Sequence, residues 1–243
     1  MSLNGVCDMG YDTYPKVVSP WGELNVNDAY IKLGWSDQYK EEPKMKPTVY
    51  KINEMFESIQ GEGAHTGEPV IFVRLAGCSM GCEWCDTKYC QEVHYTLTAE
   101  QILSHLEANF IKKPVVISGG EPFEQQIREL IEALRGKGYK VWIETNGAEE
   151  IPSGLGGDVW YTVSPKKRVL GENLNIADEI KLVISNEEDI KRAKRMMSHY
   201  NKKLFYLQPE SGKEEATKLC VKTCMEDPRF KLSVQVHKLI NIK

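Results

Sequence analysis

From Val49 onward, short apolar and β-branched segments alternate with amphipathic ones, and this alternation limits the possible folds more than any other feature. Eight segments read as strands: residues 49–55, 70–75, 115–118, 140–144, 159–163, 179–184, 204–207 and 231–236. Helical patterns lie between several of them. Thr98 with Gln101 three residues on forms a capping box, and the helix it opens carries Ile102, Leu103 and Leu106 on one face. Another helix is expected over about 123–135, where Ile127, Leu130, Ile131 and Leu134 recur at helical spacing and Gly136 and Gly138 act as stop signals. Two more are expected at about 187–199 and 213–226. Strands alternating with helices imply a parallel sheet with right-handed crossovers. At 243 residues the expected α/β architecture is a partial, incomplete TIM-like β/α barrel rather than a full eight-unit one.

Residues 1–46 have a different texture and are expected to be an irregular N-terminal extension, leaving 47–243 as the core domain. Tyr11, Tyr14, Trp21, Tyr30, Trp35 and Tyr39 are scattered there among Asp, Asn, Gly and Pro without helical or strand periodicity. So aromatic an arm is expected to wrap onto the domain or a partner.

The 31 basic and 35 acidic residues give a net charge of -4, which offers no broad attraction to a phosphate backbone, so no nucleic-acid partner is expected. No long apolar run and no basic-then-apolar leader appear, so neither a membrane partner nor secretion is expected, and the expected location is cytoplasmic. Seven cysteines, an odd number with four between positions 78 and 90, argue for metal-bound or free thiols in a reducing compartment rather than a disulfide scaffold.

The most specific chemical signal is Cys78-Ser-Met-Gly-Cys82-Glu-Trp-Cys85, a C-x3-C-x2-C pattern in the loop after the strand at 70–75. Three close thiolates can hold three irons of a 4Fe–4S cubane and leave the fourth iron open to a ligand. Gly77 and Gly81 let the backbone fold tightly around such a core. A structural zinc site is the alternative, with Cys90 as a fourth ligand. Cys220 and Cys224, one helical turn apart, read as core packing.

With Trp84 in the aromatic position, the motif resembles the cluster motif of the radical S-adenosylmethionine (SAM) superfamily, and Ser118-Gly119-Gly120-Glu121-Pro122 resembles its SAM-binding segment. The likeness narrows to the 7-carboxy-7-deazaguanine synthase family through Asn53-Glu54-Met55-Phe56, Gln60-Gly61-Glu62-Gly63, Phe72-Val73-Arg74, Cys85-Asp86-Thr87, Glu144-Thr145-Asn146-Gly147, Val163-Ser164-Pro165-Lys166, Leu207-Gln208-Pro209 and Gln235-Val236-His237-Lys238. It covers about residues 50–243.

That resemblance implies a fold of the radical SAM type and a reaction. Electron transfer from the 4Fe–4S cluster splits SAM, and the 5′-deoxyadenosyl radical abstracts hydrogen from 6-carboxy-5,6,7,8-tetrahydropterin. Ring contraction with loss of ammonia gives 7-carboxy-7-deazaguanine, and SAM is re-formed. The cofactor carries the radical, so no side chain is assigned as catalytic. The resemblance implies Cys78, Cys82 and Cys85 as cluster ligands and Thr87 as a ligand to Mg²⁺, a hard ion that takes few protein oxygens. For SAM it implies Gly119, Gly120 and Glu121, with the Glu121 carboxylate balancing the ammonium group, and Thr145, Asn146, Ser164, Pro165, Lys166 and Gln208. For the pterin it implies Ile59, Gln60, Gly61 and Glu62 at the ring edge, Arg74 as a planar fork for the carboxylate, and Ser118, His237 and Lys243. A small pterin substrate, a reductant such as flavodoxin or ferredoxin, and a homodimer are the expected partners. The rivals are a glycyl-radical-activating enzyme within the superfamily and a non-catalytic metal-binding interaction module outside it.

Overall fold

The computed structural model describes residues 17–19, 22–24, 47–155 and 158–243. Contacts divide the chain into two units, 1–46 and 47–243. In the first, β1 (Val17–Ser19) and β2 (Gly22–Leu24) pair as an antiparallel hairpin, whose three-residue strands are too short to show the period-two pattern that sequence reading needs. The expected wrapping of the arm lies outside the described residues.

The second unit contains β3 (Val49–Ile59), β4 (Pro69–Leu75), β5 (Tyr95–Thr98), α1 (Ala99–Asn109), β6 (Val115–Gly119), α2 (Arg128–Gly136), β7 (Val141–Thr145), β8 (Val159–Val163), α3 (Gly171–Ile176), β9 (Glu179–Ile184), α4 (Glu187–His199), β10 (Leu204–Pro209), α5 (Glu214–Glu226), β11 (Phe230–Leu232) and α6 (Val236–Leu239). Its nine strands form one sheet in the order β11-β10-β9-β8-β7-β6-β4-β3-β5, open between β11 and β5. From β4 through β6 to β11 the strands are parallel, as the alternation implies. β3 departs from that expectation and runs antiparallel to both neighbours. Its link to β4 is shorter than the roughly dozen residues a parallel crossover needs. The link closes instead as a hairpin, Gln60 N–H donating to Glu68 O at 2.8 Å and Gly67 N–H to Gln60 O at 2.8 Å.

Side chains alternate across the sheet. Leu75, Ile117, Ile143, Val163, Leu182 and Leu207 face the helices and join the main core with Leu106, Ile131, Leu134 and Ile190. Facing inward, Phe72, Val116, Trp142 and Trp160 lie in one pairing layer and, with Val70, form a second apolar cluster. His65 stacks on Trp142 with ring centroids 3.7 Å apart and meets Trp160 edge-on at 4.7 Å. This aromatic layer plugs the barrel interior, and the next layer toward the strands' C-terminal ends, with Arg74 opposite Ser118 and Glu144 opposite Thr162, is polar.

Two of the expected elements have different limits. The helix expected over 123–135 begins only at Arg128, after a 3-10 turn at Pro122–Glu124. Gln125 causes the break: its Oε1 accepts from Lys51 N–H at 2.9 Å, and its Nε2 donates to the carbonyls of Lys51 and Ala76, each at 3.0 Å. The strand expected at 231–236 ends at Leu232, and Val236 N–H donates to Gly61 O at 3.0 Å, turning the chain into α6. His237 therefore sits on a short helix, not a strand.

Candidate active site

The loop after β4 lies across the C-terminal end of β6. Gly77 and Gly81 adopt φ values of +96° and +56°, which favour glycine. Gly77 N–H donates to Cys90 O at 2.8 Å, and its carbonyl accepts from Glu121 N–H at 2.8 Å. A Cβ on Gly120 would lie 1.7 Å from that carbonyl oxygen, so Gly-Gly is what lets the cysteine loop and β6 meet.

Cys78, Cys82, Cys85 and Cys90 line one cavity of about 250 Å³. Burial raises the Cys78 thiol above its ordinary range and lifts that of the buried Cys90 to about 11. Among the described residues no three His, Cys, Asp or Glu side chains converge as a single ion would require, whereas a cubane holds its thiolates apart on separate irons. The cavity fits bound ligands on a second count: the buried Ser118 Oγ has no hydrogen-bond partner and lies on the same cavity wall, beside the glycine edge of β6.

The cavity gathers most of the residues singled out in the sequence: Ile59, Gln60, Glu62 and Arg74 from β3, its hairpin and β4; Thr87 beside Cys85; Ser118, Gly119 and Gly120 at the end of β6; Thr145 and Asn146 after β7; Ser164 and Lys166 after β8; Gln208 on β10; and His237 and Lys243 from the last segment. Lys166 Nζ stands 4.7 Å from the centre of the Trp84 ring, and burial lowers it to about 8. Three residues are placed elsewhere. Gly61 packs against the imidazole of His237, where a Cβ would come within 2.1 Å of Nδ1. Pro165 lines a smaller adjoining cavity with Cys82, Trp84 and Lys167. The Glu121 carboxylate lies off the wall of the main cavity, held by its own neighbours. Its Oε1 accepts from Thr145 Oγ1 at 2.6 Å and Phe123 N–H at 3.1 Å, and its Oε2 accepts from Asn146 N–H at 2.7 Å. It positions the Thr145–Asn146 edge.

Two charged groups escaped the sequence reading. A bulge in β3 between Ile52 and Glu54 frees the Asn53 amide to donate to Tyr89 O at 3.1 Å and Glu92 O at 3.0 Å, and sets Glu54 opposite Arg74. Arg74 Nε donates to Glu54 Oε1 at 2.8 Å, while Lys243 Nζ pairs with Glu54 Oε2 and its main-chain oxygen accepts from Ser58 Oγ. Burial alone would raise Glu54, but its hydrogen bonds to Lys243 and Arg74 hold it below the usual carboxylate range. The second group surrounds the buried Lys181, whose Nζ pairs with Glu62 Oε2 and lies 4.0 Å from Glu144 Oε2. Gln60 Nε2 donates to Glu144 Oε1 at 2.9 Å. Gln235 Nε2 donates at 2.8 Å both to Glu62 Oε1 and to Asp86 Oδ2, tying α6 to the cysteine loop. Glu179 and Lys181, polar at alternate positions between Ile180 and Leu182, were the available signal for an inward-facing strand.

An open β/α barrel with three thiols and a glycine edge at the C-terminal ends of its strands is the arrangement of a radical SAM enzyme. A family model described as a 4Fe-4S single cluster domain matches residues 59–150. The 7-carboxy-7-deazaguanine synthase of Buchnera aphidicola subsp. Schizaphis graminum is 37% identical over 220 residues, covering 80% of this chain and 99% of its own length. Its counterpart in Escherichia coli K12 is 35% identical over 223 residues, covering 79% and 99%. The crystal structure of QueE from Escherichia coli superposes with a TM-score of 0.70 at 34% identity, covering 78% of this chain and 95% of that one. The chain belongs to the 7-carboxy-7-deazaguanine synthase family, and its cofactors are a 4Fe–4S cluster and SAM. Among the described residues, no helix is long and apolar enough to cross a membrane.

Proposed function

We propose that the chain converts 6-carboxy-5,6,7,8-tetrahydropterin to 7-carboxy-7-deazaguanine by radical ring contraction with loss of ammonia, a carbon–nitrogen lyase step in queuosine-type 7-deazaguanine biosynthesis. The observation that carries this reading is one cavity with an arginine fork on one wall, carboxylates on another and three thiols beside them. A carboxylated pterin needs those features together: a cationic fork for its carboxylate and acceptors for its N–H edge.

When bound, the cluster and SAM supply the hydrogen-abstracting 5′-deoxyadenosyl radical. Cys78, Cys82 and Cys85 hold the cluster, and Gly119, Gly120, Thr145, Asn146, Ser164, Lys166 and Gln208 hold SAM. Arg74 takes the substrate carboxylate, already oriented by Glu54. Gln60 and Glu62 read the pyrimidine edge, with Ser118 and His237 on the same wall. The Lys243 main chain, fixed by Ser58, lies at the Arg74 end. Thr87, 3.6 Å from Cys85 Sγ through its hydroxyl, is the protein ligand for Mg²⁺. Contacts from several walls at once fix the substrate's orientation. The enzyme works in the cytoplasm as a homodimer, with flavodoxin or ferredoxin as its reductant.

The test is anaerobic reconstitution with iron and sulfide, then incubation with SAM, dithionite, Mg²⁺ and the pterin, followed by mass spectrometry. The expected product is 7-carboxy-7-deazaguanine, absent with Cys82→Ala. SAM cleavage without change to the pterin would keep the class and remove the substrate.

A further inference from the structure

Lys181 stands midway along β9 with its ammonium group inside the barrel. A buried ammonium is tolerated only when paired and hydrogen-bonded. Three carboxylates surround this one: Glu62 from the hairpin after β3, Glu144 from β7, and Glu179 from its own strand. Lys166, after β8, is the other cation facing it, and Asp86 of the cysteine loop reaches Glu62 through the shared Gln235 amide.

The three carboxylates are not equivalent. Glu179 accepts Thr162 Oγ1–H at 2.8 Å and Ala64 N–H at 2.8 Å, stays off the cavity wall, and burial raises it above the usual carboxylate range. Glu62 and Glu144 lie on the wall. Burial pushes Glu62 up as well, yet Lys181 and Gln235 bring it below the usual range. Burial would likewise lower Lys181, and Glu144 and Glu62 overcome that, holding it above an ordinary lysine.

We propose that Lys181 is a positioning residue that holds Glu62 and Glu144 as an ionised acceptor pair aimed at the cavity, matched to the N–H donors of a 2-amino-4-oxopyrimidine edge. This rests on the pterin reading above. Two buried carboxylates without a cation between them share a proton, and a protonated carboxyl presents a donor where the ligand also presents one. Lys181 removes that conflict, and its aliphatic stem fills the interior without adding an acceptor.

The test titrates the reconstituted protein with the stable analogue pterin-6-carboxylate, followed by its own fluorescence, with a parallel titration of SAM. Wild-type affinity for the pterin is expected to be level between about pH 5 and about pH 7, below the range in which Lys166 and the pterin's own lactam N–H lose their protons. Without Lys181, burial and Glu144 raise the proton affinity of Glu62, so the acceptor is lost as pH falls and regained as it rises. Lys181→Met is therefore expected to weaken pterin binding by about tenfold or more near pH 5, recovering toward pH 7, with SAM affinity unchanged. The pair Lys181→Gln with Glu62→Gln removes one charge of each sign, so the local net charge is unchanged, and keeps the inference testable if Lys181→Met does not fold; it is expected to bind the pterin weakly at every pH. Wild-type-like, pH-independent pterin binding by either variant would overturn the inference and leave the substrate reading standing. Failure of the wild-type protein to bind the pterin while still binding SAM would remove both.

Discussion

Arg74 enters the cavity with Nε committed to Glu54, and among the described residues its terminal nitrogens make no hydrogen bond. That division matters chemically. Glu54 fixes the plane of the guanidinium, and the terminal pair is left as a fork of the spacing a carboxylate accepts. Lysine would keep the charge and lose both the plane and the second bond. Since a hydrogen bond to a charged group contributes roughly 1.5–3 kcal/mol, Arg74→Lys is expected to raise KM for the carboxylated pterin by about 10- to 100-fold with a smaller effect on kcat. Steady-state kinetics with the pterin and its decarboxylated analogue checks this. The variant should lose the wild type's preference for the carboxylated compound, and an undiminished preference would place the carboxylate elsewhere. Arg74 was legible because a charged residue ends an apolar strand just before the cysteine loop. Glu54 was not, because an acid within a strand reads the same whether it faces solvent or a partner across the sheet, and only the bulge at Asn53 decides. The protein partners of Glu121 were hidden for a related reason: Gly-Gly-Glu-Pro fixes where the backbone goes, whereas the carboxylate's partners come from the end of β7, about two dozen residues away.

Helix starts depend on a few adjacent atoms and are therefore the elements most open to sequence reasoning. The Thr98–Gln101 capping box forms as read, each side chain meeting the other residue's main-chain N–H. α4 begins the same way: Asn186 Oδ1 accepts from Glu188 N–H at 2.9 Å and Asp189 N–H at 3.3 Å. Three acidic residues, Glu187, Glu188 and Asp189, complement the positive end of that helix. Asn186→Ala is expected to cost about 1 kcal/mol, read as a lower urea midpoint at unchanged slope, with SAM and pterin affinities unaltered. A loss of ligand affinity would mean that α4 sets the position of β9 more tightly than its packing through Ile190, Ala193 and Met197 implies. Less legible are elements whose limits depend on partners distant in sequence. Helical periodicity through 123–127 is real, yet Gln125 spends its amide on Lys51 and Ala76, and the helix waits until Arg128. β5, four residues with an exposed Tyr95, becomes a strand only because β3 pairs with it.

At the scale of the molecule, among the described residues, the nine-stranded sheet, both apolar clusters and every cavity-lining residue fall within 47–243. The matched relatives are covered over 99% of their length while about a fifth of this chain lies outside each match. The barrel's closure is internal as well. The aromatic layer with His65 fills one end of its interior, and at the other the hairpin after β3, the cysteine loop and α6 are tied together by Gln235 through Glu62 and Asp86, and by Lys238 Nζ, which donates to Asp86 Oδ2 at 2.8 Å. Each of these ties joins residues of the second unit to one another. A protein beginning at Pro47 is therefore expected to fold, take up the cluster and bind SAM and the pterin as the full chain does. Its thermal midpoint should lie within about 4 °C of the full chain's, the shift that roughly 1 kcal/mol produces in a domain of this size. Calorimetry on the two proteins, with iron and sulfide analysis after anaerobic reconstitution, decides the matter. If the shorter protein unfolds in a broad, non-cooperative transition, residues 1–46 belong to the core and the boundary at 46 is wrong. If it folds and binds both ligands but turns over slowly, the arm acts on a later step, electron delivery or product release, and single-turnover kinetics with dithionite in place of the protein reductant separates those two.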